Sequence, residues 1–342
     1  MAERLRSGCV GSALFLAASA QVFAQDRKTV LRVADHFPAG HPTVEGATRY
    51  WMEQVSKQTQ NQIEFEYYPA EQLGKSRDML SLAQSGVADI TAPLPSLISD
   101  KFPLSTVAEL PGSFGNSCSG TLAYWRLAKD GILAKQEFAP NGVRVLFSMV
   151  FPPYQILTKA KFTSLKDFEG LKIRTAGGAK DLAATRVKGV AIRMGAPEVY
   201  EALSRGTIDA IVWPLSGVTT YNLQNLVRYG TFEENFGSVV INYVISEARF
   251  KKLPENVQKI MLSVGEEATR RACSMVDRSE GTNIEKLKQL GITMVSLAPA
   301  ERTQLANLMK TVGTEWAEGL DKRGKPGSEV LKAFNEALNQ QK

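Results

Sequence analysis

Apolar and polar positions along the first hundred residues follow two different periods. Residues 30–34 (VLRVA) are apolar except for Arg32, and residues 63–67 alternate apolar side chains with glutamate, as strands do. Apolar residues recur at helical spacing over 44–55 and 79–83, and a strand-like run follows over 87–90. Strands that alternate with helices in this way predict a mostly parallel sheet with helices on its faces.

The second half of the chain restarts the same alternation. Gly86-x-x-Asp89 and Gly206-x-x-Asp209 each run into an apolar strand that breaks at Pro-Leu. Two lobes of similar α/β build would explain this repeat; the alternative is chance, because helix–glycine–strand is a common unit. Further strands are predicted over 143–147, 154–158, 171–174, 207–212, 239–245 and 292–295. Helices are predicted over 197–203, from Leu253-Pro254 onwards, over 299–319, and as a final short piece after residue 319.

The N-terminus has the pattern of an export signal. Arg4 and Arg6 precede an apolar run, and Val22-Phe23-Ala24 matches a cleavage site that would remove residues 1–24. The run is short for a membrane span and a polar segment follows it; a retained anchor is the alternative. We therefore predict a periplasmic protein whose mature chain begins at Gln25.

Composition limits the domain count and the class of partner. The 342 residues carry a formal charge of +6 and are 44% hydrophobic, which is enough for a full core and suggests two domains. Basic residues are spread along the chain and do not interleave with aromatics, so nucleic acid is not an expected partner. Cys118 and Cys273 remain after export, and the sequence leaves open whether they pair or stay as buried thiols.

Signatures of catalysis are largely missing from the chain. Its two histidines, His36 and His41, match no metal-ligand spacing with a cysteine or carboxylate, so no metal site is predicted. The sequence also has no nucleophile elbow, no phosphate-binding glycine loop and no dinucleotide fingerprint. We predict that the protein is not an enzyme and needs no cofactor.

A candidate anion site lies at the end of a predicted strand. Arg174 closes the run Leu-Lys-Ile-Arg and is followed closely by Gly177-Gly178, which would let a ligand approach the backbone. A guanidinium matches a carboxylate with two parallel hydrogen bonds. Trp213 and Tyr154 lie at other predicted strand ends, where ligands bind in α/β folds.

Three motifs carry a resemblance to the DctP-type solute-binding proteins of tripartite ATP-independent periplasmic (TRAP) transporters. Residues 68–74 (YPAEQLG) are similar to that family's Y-P-x-x-Q-L-G, and residues 165–174 (LKDFEGLKIR) to its D-L-K-G-L-K-I-R. The third motif, APEVYEAL at 196–203, runs into RGTID at 205–209. The three motifs occur in the order typical of the family and follow an export signal. The resemblance covers nearly the whole mature chain.

The resemblance implies an α/β, two-lobed periplasmic binding protein fold with a mostly parallel sheet in each lobe and a long helix spanning both. We expect lobe I over 25–148 and lobe II over 149–239, with segments from about 240–342 packing on lobe I and across both. The resemblance also implies that Arg174 pairs with the carboxylate of a small organic acid. The protein would deliver this acid to the two subunits of a TRAP permease, which an ion gradient drives.

Two positions bear on the choice of ligand. Tyr154 stands where the sialic-acid branch of the family has a second arginine, and Trp213 where that branch has an asparagine. These large aromatics favour a monocarboxylate with an aromatic or apolar body. A sugar acid is the alternative, because aromatic walls also stack on sugar rings.

The remaining expectations complete the functional prediction. As an alternative function, the protein could present its ligand to a membrane receptor as part of a sensor. A periplasmic enzyme is the least favoured of the alternatives. We expect a monomer, with a dimer as the alternative. The predicted ligand-binding residues are Arg174, Tyr154, Trp213, Gln155, Phe236, His36, Phe37, Glu71 and Pro93.

Overall fold

The computed structural model describes residues 28–341, so the leader expected over 1–24, with cleavage after Ala24, lies outside the described residues. The structure is α/β, with two sheets flanked by helices. Its strands are β1 (Thr29–Ala34), β2 (Ile63–Tyr68), β3 (Ile90–Thr91), β4 (Val143–Val150), β5 (Gln155–Thr158), β6 (Lys172–Thr175), β7 (Val190–Arg193), β8 (Ala210–Trp213), β9 (Tyr229–Thr231), β10 (Val240–Ser246) and β11 (Thr293–Val295). Its helices are α1 (Arg49–Gln58), α2 (Met79–Ser85), α3 (Ser117–Lys129), α4 (Ala179–Arg186), α5 (Val199–Ser204), α6 (Gly217–Thr220), α7 (Glu247–Phe250), α8 (Glu255–Gln289), α9 (Pro299–Asp321) and α10 (Gly327–Asn339).

The first sheet has the strand order β2-β1-β3-β10-β4. β1 pairs in parallel with β2 and β3, whereas β10 runs antiparallel to both β3 and β4. Among the described strands this sheet is evenly mixed, where the sequence suggested mostly parallel pairing. The reason lies in the path of the chain: β4 leaves the first sheet for the second and β10 returns from it, so the two run in opposite directions.

The second sheet has the order β11-β9-β5-β8-β6-β7 and is mostly parallel. β6 pairs in parallel with β7 and β8, and β11 with β9. Only β5, which arrives from the first sheet, runs antiparallel to its described neighbours β8 and β9. The two sheets give the two lobes that the sequence predicted; the residue boundaries 25–148 and 149–239 stay a proposal.

The two connections between the sheets lie side by side and form what we call the crossing ribbon, residues 151–154 and 236–239. The backbone N–H of Phe151 donates to the carbonyl of Val239 at 2.9 Å, and that of Tyr154 to Gly237 at 2.8 Å. The N–H of Phe236 returns a bond to the carbonyl of Tyr154 at 3.1 Å. Backbone hydrogen bonds therefore join the two connecting segments to each other, and each segment also continues into a strand of both sheets.

Helix α8 spans both lobes. Its first half buries Val257, Val264 and Ala268 in the core of the first sheet, and near its end Leu287 packs in the core of the second. Gly265 allows the helix to lie directly on β4, because a Cβ at this position would come within 1.9 Å of the carbonyl oxygen of Leu146. The amphipathic pattern after Pro254 predicted this helix, and the family resemblance implied that it spans both lobes.

Helix α3 begins against α8 and is fixed there by charge and by a covalent bond. The side chain of Asn116 accepts from the N–H of Ser119, and the carboxylate of Asp277 accepts from the N–H groups of Ser117 and Cys118 at 2.7 and 2.9 Å. A carboxylate at this end of a helix meets the positive end of the helix dipole. Cys118 forms a disulfide with Cys273 of α8, which settles the pairing that the sequence left open.

We expect the disulfide to contribute measurably to stability. It closes a loop of 155 residues, and removal of such a bond from an oxidised protein typically costs about 2–5 kcal/mol. The Cys118→Ala, Cys273→Ala double variant should have a free energy of unfolding that is lower by this amount. Its midpoint in urea should fall accordingly. Wild-type protein in excess reductant should fall to the same midpoint, and equal midpoints for the oxidised and the double-variant protein would contradict the expectation.

Candidate functional site

A cavity of about 460 Å³, counting its mouth, lies where strand ends of the two sheets face each other. The centre of a water-sized molecule can move through about 50 Å³ of it. The first sheet contributes the segments after β1, β3 and β4 and the start of β10; the second contributes β6, the ends of β5 and β8, and α6. The lining residues are His36, Phe37, His41, Leu94, Phe151, Tyr154, Arg174, Ala176, Ala196, Trp213, Pro214, Gly217, Tyr221, Val239 and Ile241.

Arg174 points into this cavity from β6. Its side chain is 3% exposed, and its Nε–H and Nη2–H both donate to the carbonyl of Met194 at 3.1 and 2.7 Å, which fixes one edge of the guanidinium. Burial lowers the pKa of Arg174 to about 10, so the group keeps its charge at neutral pH. Within residues 28–341, no carboxylate lies within 4.0 Å of it and no protein acceptor takes Nη1. One edge of a charged fork is thus available to a ligand.

Trp213 forms a wall beneath the guanidinium. The Cζ atom of Arg174 lies 4.7 Å from the centre of the indole ring, a cation–π arrangement. The ring of Tyr221 stands perpendicular to the indole at 5.4 Å. Tyr154 faces Arg174 from the start of β5, and burial raises its pKa, so its phenol is neutral and can donate a hydrogen bond. These rings give one side of the cavity flat apolar surfaces with polar edges.

The opposite side of the cavity comes from the first sheet. The rings of Phe37 and His41 stack at 4.1 Å, and the ring of Phe151 lies 6.4 Å from Phe37. Burial lowers the pKa of His36, and lowers that of His41 to about 3, so both imidazoles are neutral at pH 7. The first sheet therefore adds aromatic surface and no charge.

Asp35 holds this part of the wall in place. It is fully buried, and its carboxylate accepts from the N–H of Phe37 at 3.0 Å and from the hydroxyls of Tyr67 and Tyr243 at 3.0 and 2.6 Å. A buried carboxylate with three donors is well satisfied and rigid. The turn after β1 is thereby fixed, and with it the rings of His36 and Phe37.

The structure brings five of the nine predicted site residues together on the cavity wall: Arg174, Tyr154, Trp213, His36 and Phe37. The other four lie outside its lining. Gln155 is the strand neighbour of Tyr154 and points away, where its amide bonds Glu234 and Thr231. Phe236 is buried in the crossing ribbon against Phe168.

Glu71 and Pro93 are also not among the residues that line the cavity. The carboxylate of Glu71 accepts from the N–H of Ser76 at 2.8 Å and from Lys75 at 3.0 Å, so it is used within its own loop. Pro93 precedes Leu94, and it is Leu94 that reaches the wall. Sequence reasoning missed Tyr221, whose position eight residues after Trp213 was the available signal.

A second feature beside the cavity is a buried ion pair between the lobes. Lys180 of α4 and Glu109, both 0% exposed, form an ion pair, and Nζ of Lys180 also donates to the carbonyl of Ser238 in the crossing ribbon at 2.7 Å. Burial raises the pKa of Glu109 and lowers that of Lys180, and the contact between the charges opposes both shifts. The pair ties the first sheet, the second sheet and the ribbon together at one point.

Two features of residues 28–341 bear on alternative functions. The described part of the chain contains no group of three or more His, Cys, Asp or Glu side chains arranged to hold a metal ion. None of its helices combines the length and the apolar character that crossing a membrane requires.

A sequence profile described as bacterial extracellular solute-binding protein, family 7 (DctP), matches residues 33–319. The chain belongs to this family. The C4-dicarboxylate-binding periplasmic protein DctP of Rhodobacter capsulatus is 23% identical to it, covering 98% of this chain and 99% of that protein. The predicted family, whose members bind extracellular solutes, is thereby confirmed.

Solved structures of TRAP solute-binding proteins share the DctP-family fold of this chain. One from Rhodoferax ferrireducens T118, in complex with copurified benzoate, superposes with a TM-score of 0.84 at 22% identity, covering 92% of this chain and 98% of the other. One from Bordetella bronchiseptica, with bound (R)- and (S)-mandelate, gives 0.83 at 24% identity, covering 92% and 100%. These likenesses confirm the predicted two-lobed α/β fold.

Proposed function

We propose that this family 7 protein is a periplasmic carrier that captures a small aromatic monocarboxylate between its lobes and delivers it to a TRAP permease. Arg174 carries the proposal. It is a buried, charged guanidinium with one free edge on the wall of an aromatic cavity. A buried cation is costly without an anion, so a carboxylate that pairs with it gains a strong, charge-assisted contact.

The rest of the lining supports a flat ligand with a single charge. Arg174 is the one charged side chain among the described residues of the wall, because both histidines are neutral. A second carboxylate would find no cation there, and a sugar acid would place several hydroxyls against apolar rings. The structural relatives with benzoate and with mandelate carry ligands of the class that the cavity favours.

The further parts of the proposal follow from the family. Its members are binding proteins that work in the periplasm, which supports export of this chain. We propose cleavage after Ala24 from the sequence pattern alone. We propose lobe I over 25–148 and lobe II over 149–239, closing on the ligand and opening at the permease. The mature protein would act without catalysis and as a monomer.

Titration of the mature protein with organic acids tests the proposal. Benzoate and (R)-mandelate, measured by calorimetry, should bind with micromolar or tighter affinity and raise the melting temperature by mass action. Succinate and glucuronate, matched probes for a dicarboxylate and a sugar acid, should bind far more weakly. Tighter binding of succinate or glucuronate than of every aromatic acid would overturn the ligand class, and mass spectrometry after incubation should return each acid unchanged.

A further inference from the structure

The guanidinium of Arg174 takes its orientation from one backbone carbonyl. Its Nε–H and Nη2–H both donate to the carbonyl of Met194, so the position of that oxygen sets the direction in which the free edge points. A bidentate contact with a carboxylate depends on this direction. Residues that fix Met194 therefore bear on binding even where they do not line the cavity.

Met194 follows directly on the paired ends of two strands. Thr175, the last residue of β6, is the register partner of Arg193, the last residue of β7. The N–H of Met194 donates to the carbonyl of Thr175 at 3.2 Å, which is at the long end of the range for such bonds. The side chains at these two strand ends can thus add to what the backbone provides.

Asp181, in the first turn of α4, connects the two strand ends. Its Oδ1 accepts from the hydroxyl of Thr175, and its Oδ2 accepts from Nη2 of Arg193 at 2.7 Å. The hydroxyl oxygen of Thr175 in turn accepts from the N–H of Gly177 at 3.2 Å. We call the set Asp181, Thr175 and Arg193 the Asp181 bridge; none of its members lines the cavity.

Gly177 makes room for the Arg193 side of the bridge. Its φ is +94°, and a Cβ atom at this position would lie 2.6 Å from Nε of Arg193 and 2.5 Å from the carbonyl oxygen of Ser96. The sequence predicted that Gly177-Gly178 would let a ligand approach the backbone, but neither glycine lines the cavity. The groups that approach closely at Gly177 are the side chain of Arg193 and the backbone of Ser96.

The exposure of the ion pair indicates a geometric role. The side chains of Asp181 and Arg193 are 27% and 48% exposed, and ion pairs as exposed as this one contribute little to the free energy of folding. Thr175, by contrast, is fully buried. The bridge therefore fixes the positions of two strand ends more than it stabilises the fold.

We propose that Asp181 is a positioning residue for ligand binding: through Thr175 and Arg193 it holds the ends of β6 and β7 together, and thereby keeps the free edge of Arg174 aimed at the ligand's carboxylate. The inference rests on the proposed function and deepens it. A group that is already held in its binding geometry loses less freedom when the ligand arrives, so it binds more tightly.

Charge and position predict opposite effects for Asp181→Asn. Burial lowers the pKa of Arg174, and the negative charge of Asp181 is among the groups that oppose this shift. Removal of that charge alone would make the surroundings of Arg174 more positive and would tighten the binding of an anion. Loss of the bridge would weaken binding, because the amide presents a donor where the carboxylate presents its second acceptor.

Calorimetric titration of the mature protein with benzoate tests the inference. Asp181→Asn and Thr175→Val should each raise the Kd about five- to tenfold, the effect of about one lost hydrogen bond. Thr175→Ser keeps the hydroxyl and should stay within about twofold of wild type. In an Arg174→Lys background, Asp181→Asn should change the Kd by less than about twofold, because a single ammonium has no fork to orient.

Asp209→Asn is the matched control. Oδ2 of Asp209 accepts from the N–H of Lys172 at 2.9 Å, at the other end of β6, and the Asp209 side chain is 38% exposed. This variant should keep the Kd for benzoate within about twofold of wild type. Urea unfolding should give similar stabilities for Asp181→Asn and Asp209→Asn, so a difference in Kd between them reports on the site.

The outcomes separate this inference from the proposed function. Unchanged or tighter binding in Asp181→Asn would overturn the positioning role alone. An equal loss of affinity in the wild-type and the Arg174→Lys backgrounds would also overturn it, because the bridge would then not act through the fork. If wild type binds neither benzoate nor mandelate, the proposed ligand class fails and the positioning role with it.

Discussion

Arg174→Ala should raise the Kd for an aromatic carboxylate by about two to three and a half orders of magnitude. Removing one partner of a buried, hydrogen-bonded ion pair costs about 3–5 kcal/mol, and every 1.4 kcal/mol is tenfold in affinity. The unliganded protein should lose little stability, because Arg174 has no carboxylate partner within residues 28–341 and its own burial is unfavourable. Calorimetry gives the Kd and urea unfolding gives the stability.

Two further variants show whether charge or geometry is responsible. Arg174→Lys keeps the charge but replaces the fork with a single point donor, so it should recover only part of the affinity. Arg205→Met removes an arginine whose ion pair with Glu201 is exposed, and it should leave the Kd unchanged. Wild-type affinity in Arg174→Ala would show that the carboxylate binds elsewhere.

Lys180→Met should lower the free energy of unfolding by about 3–5 kcal/mol, because it leaves the fully buried carboxylate of Glu109 without its cation. The Lys180→Met, Glu109→Leu double variant should recover much of this loss, since apolar replacement of a whole buried pair is often neutral. Urea unfolding at pH 7 measures both differences.

Lys259→Met is the matched control for this prediction. Lys259 and Glu255 form an ion pair that is 73% and 80% exposed, and breaking it should change stability by less than about 1 kcal/mol. A loss of that small size in Lys180→Met would mean that water or a nearby donor satisfies Glu109. A double variant as unstable as the single one would mean that the pair itself holds the lobes in place.

Much of the fold was predictable because most elements bury one face. The strands β1, β2, β4 and β10 and the helix α8 all show the expected period and lie where it places them. Helix α3 lacks a clear period because residues on most of its sides are buried, among them Thr121, Tyr124 and Trp125. Helix α4 hides its pattern in another way, since it buries Lys180 in an ion pair and thus carries a charge where a core residue is expected.

Shorter elements escaped prediction for local reasons. β7 is an edge strand with Val190 half exposed, so no buried alternation marks it. β3 covers only Ile90–Thr91 rather than 87–90, because Val87 is also largely exposed. A two-residue strand forms because it pairs with β1 and β10. The sequence pattern alone does not reveal that pairing.

Residues at strand ends do line the cavity, as the sequence analysis expected. The predicted residues that lie outside the cavity show where this expectation reaches its limit. Successive residues of a strand point to opposite faces, so Tyr154 can reach the cavity only if Gln155 does not. Tyr221 belongs to no strand and enters the wall through the four-residue helix α6. Its place depends on how α6 packs under Trp213, a contact that only the folded chain creates.

The crossing ribbon has a mechanical consequence. Rotation of one lobe against the other has to bend or twist residues 151–154 and 236–239 together, because hydrogen bonds join the two passages. Phe151, Tyr154 and Val239 belong to this ribbon and also line the cavity. A ligand bound there would contact the ribbon directly, so we expect binding to restrict the rotation of one lobe against the other.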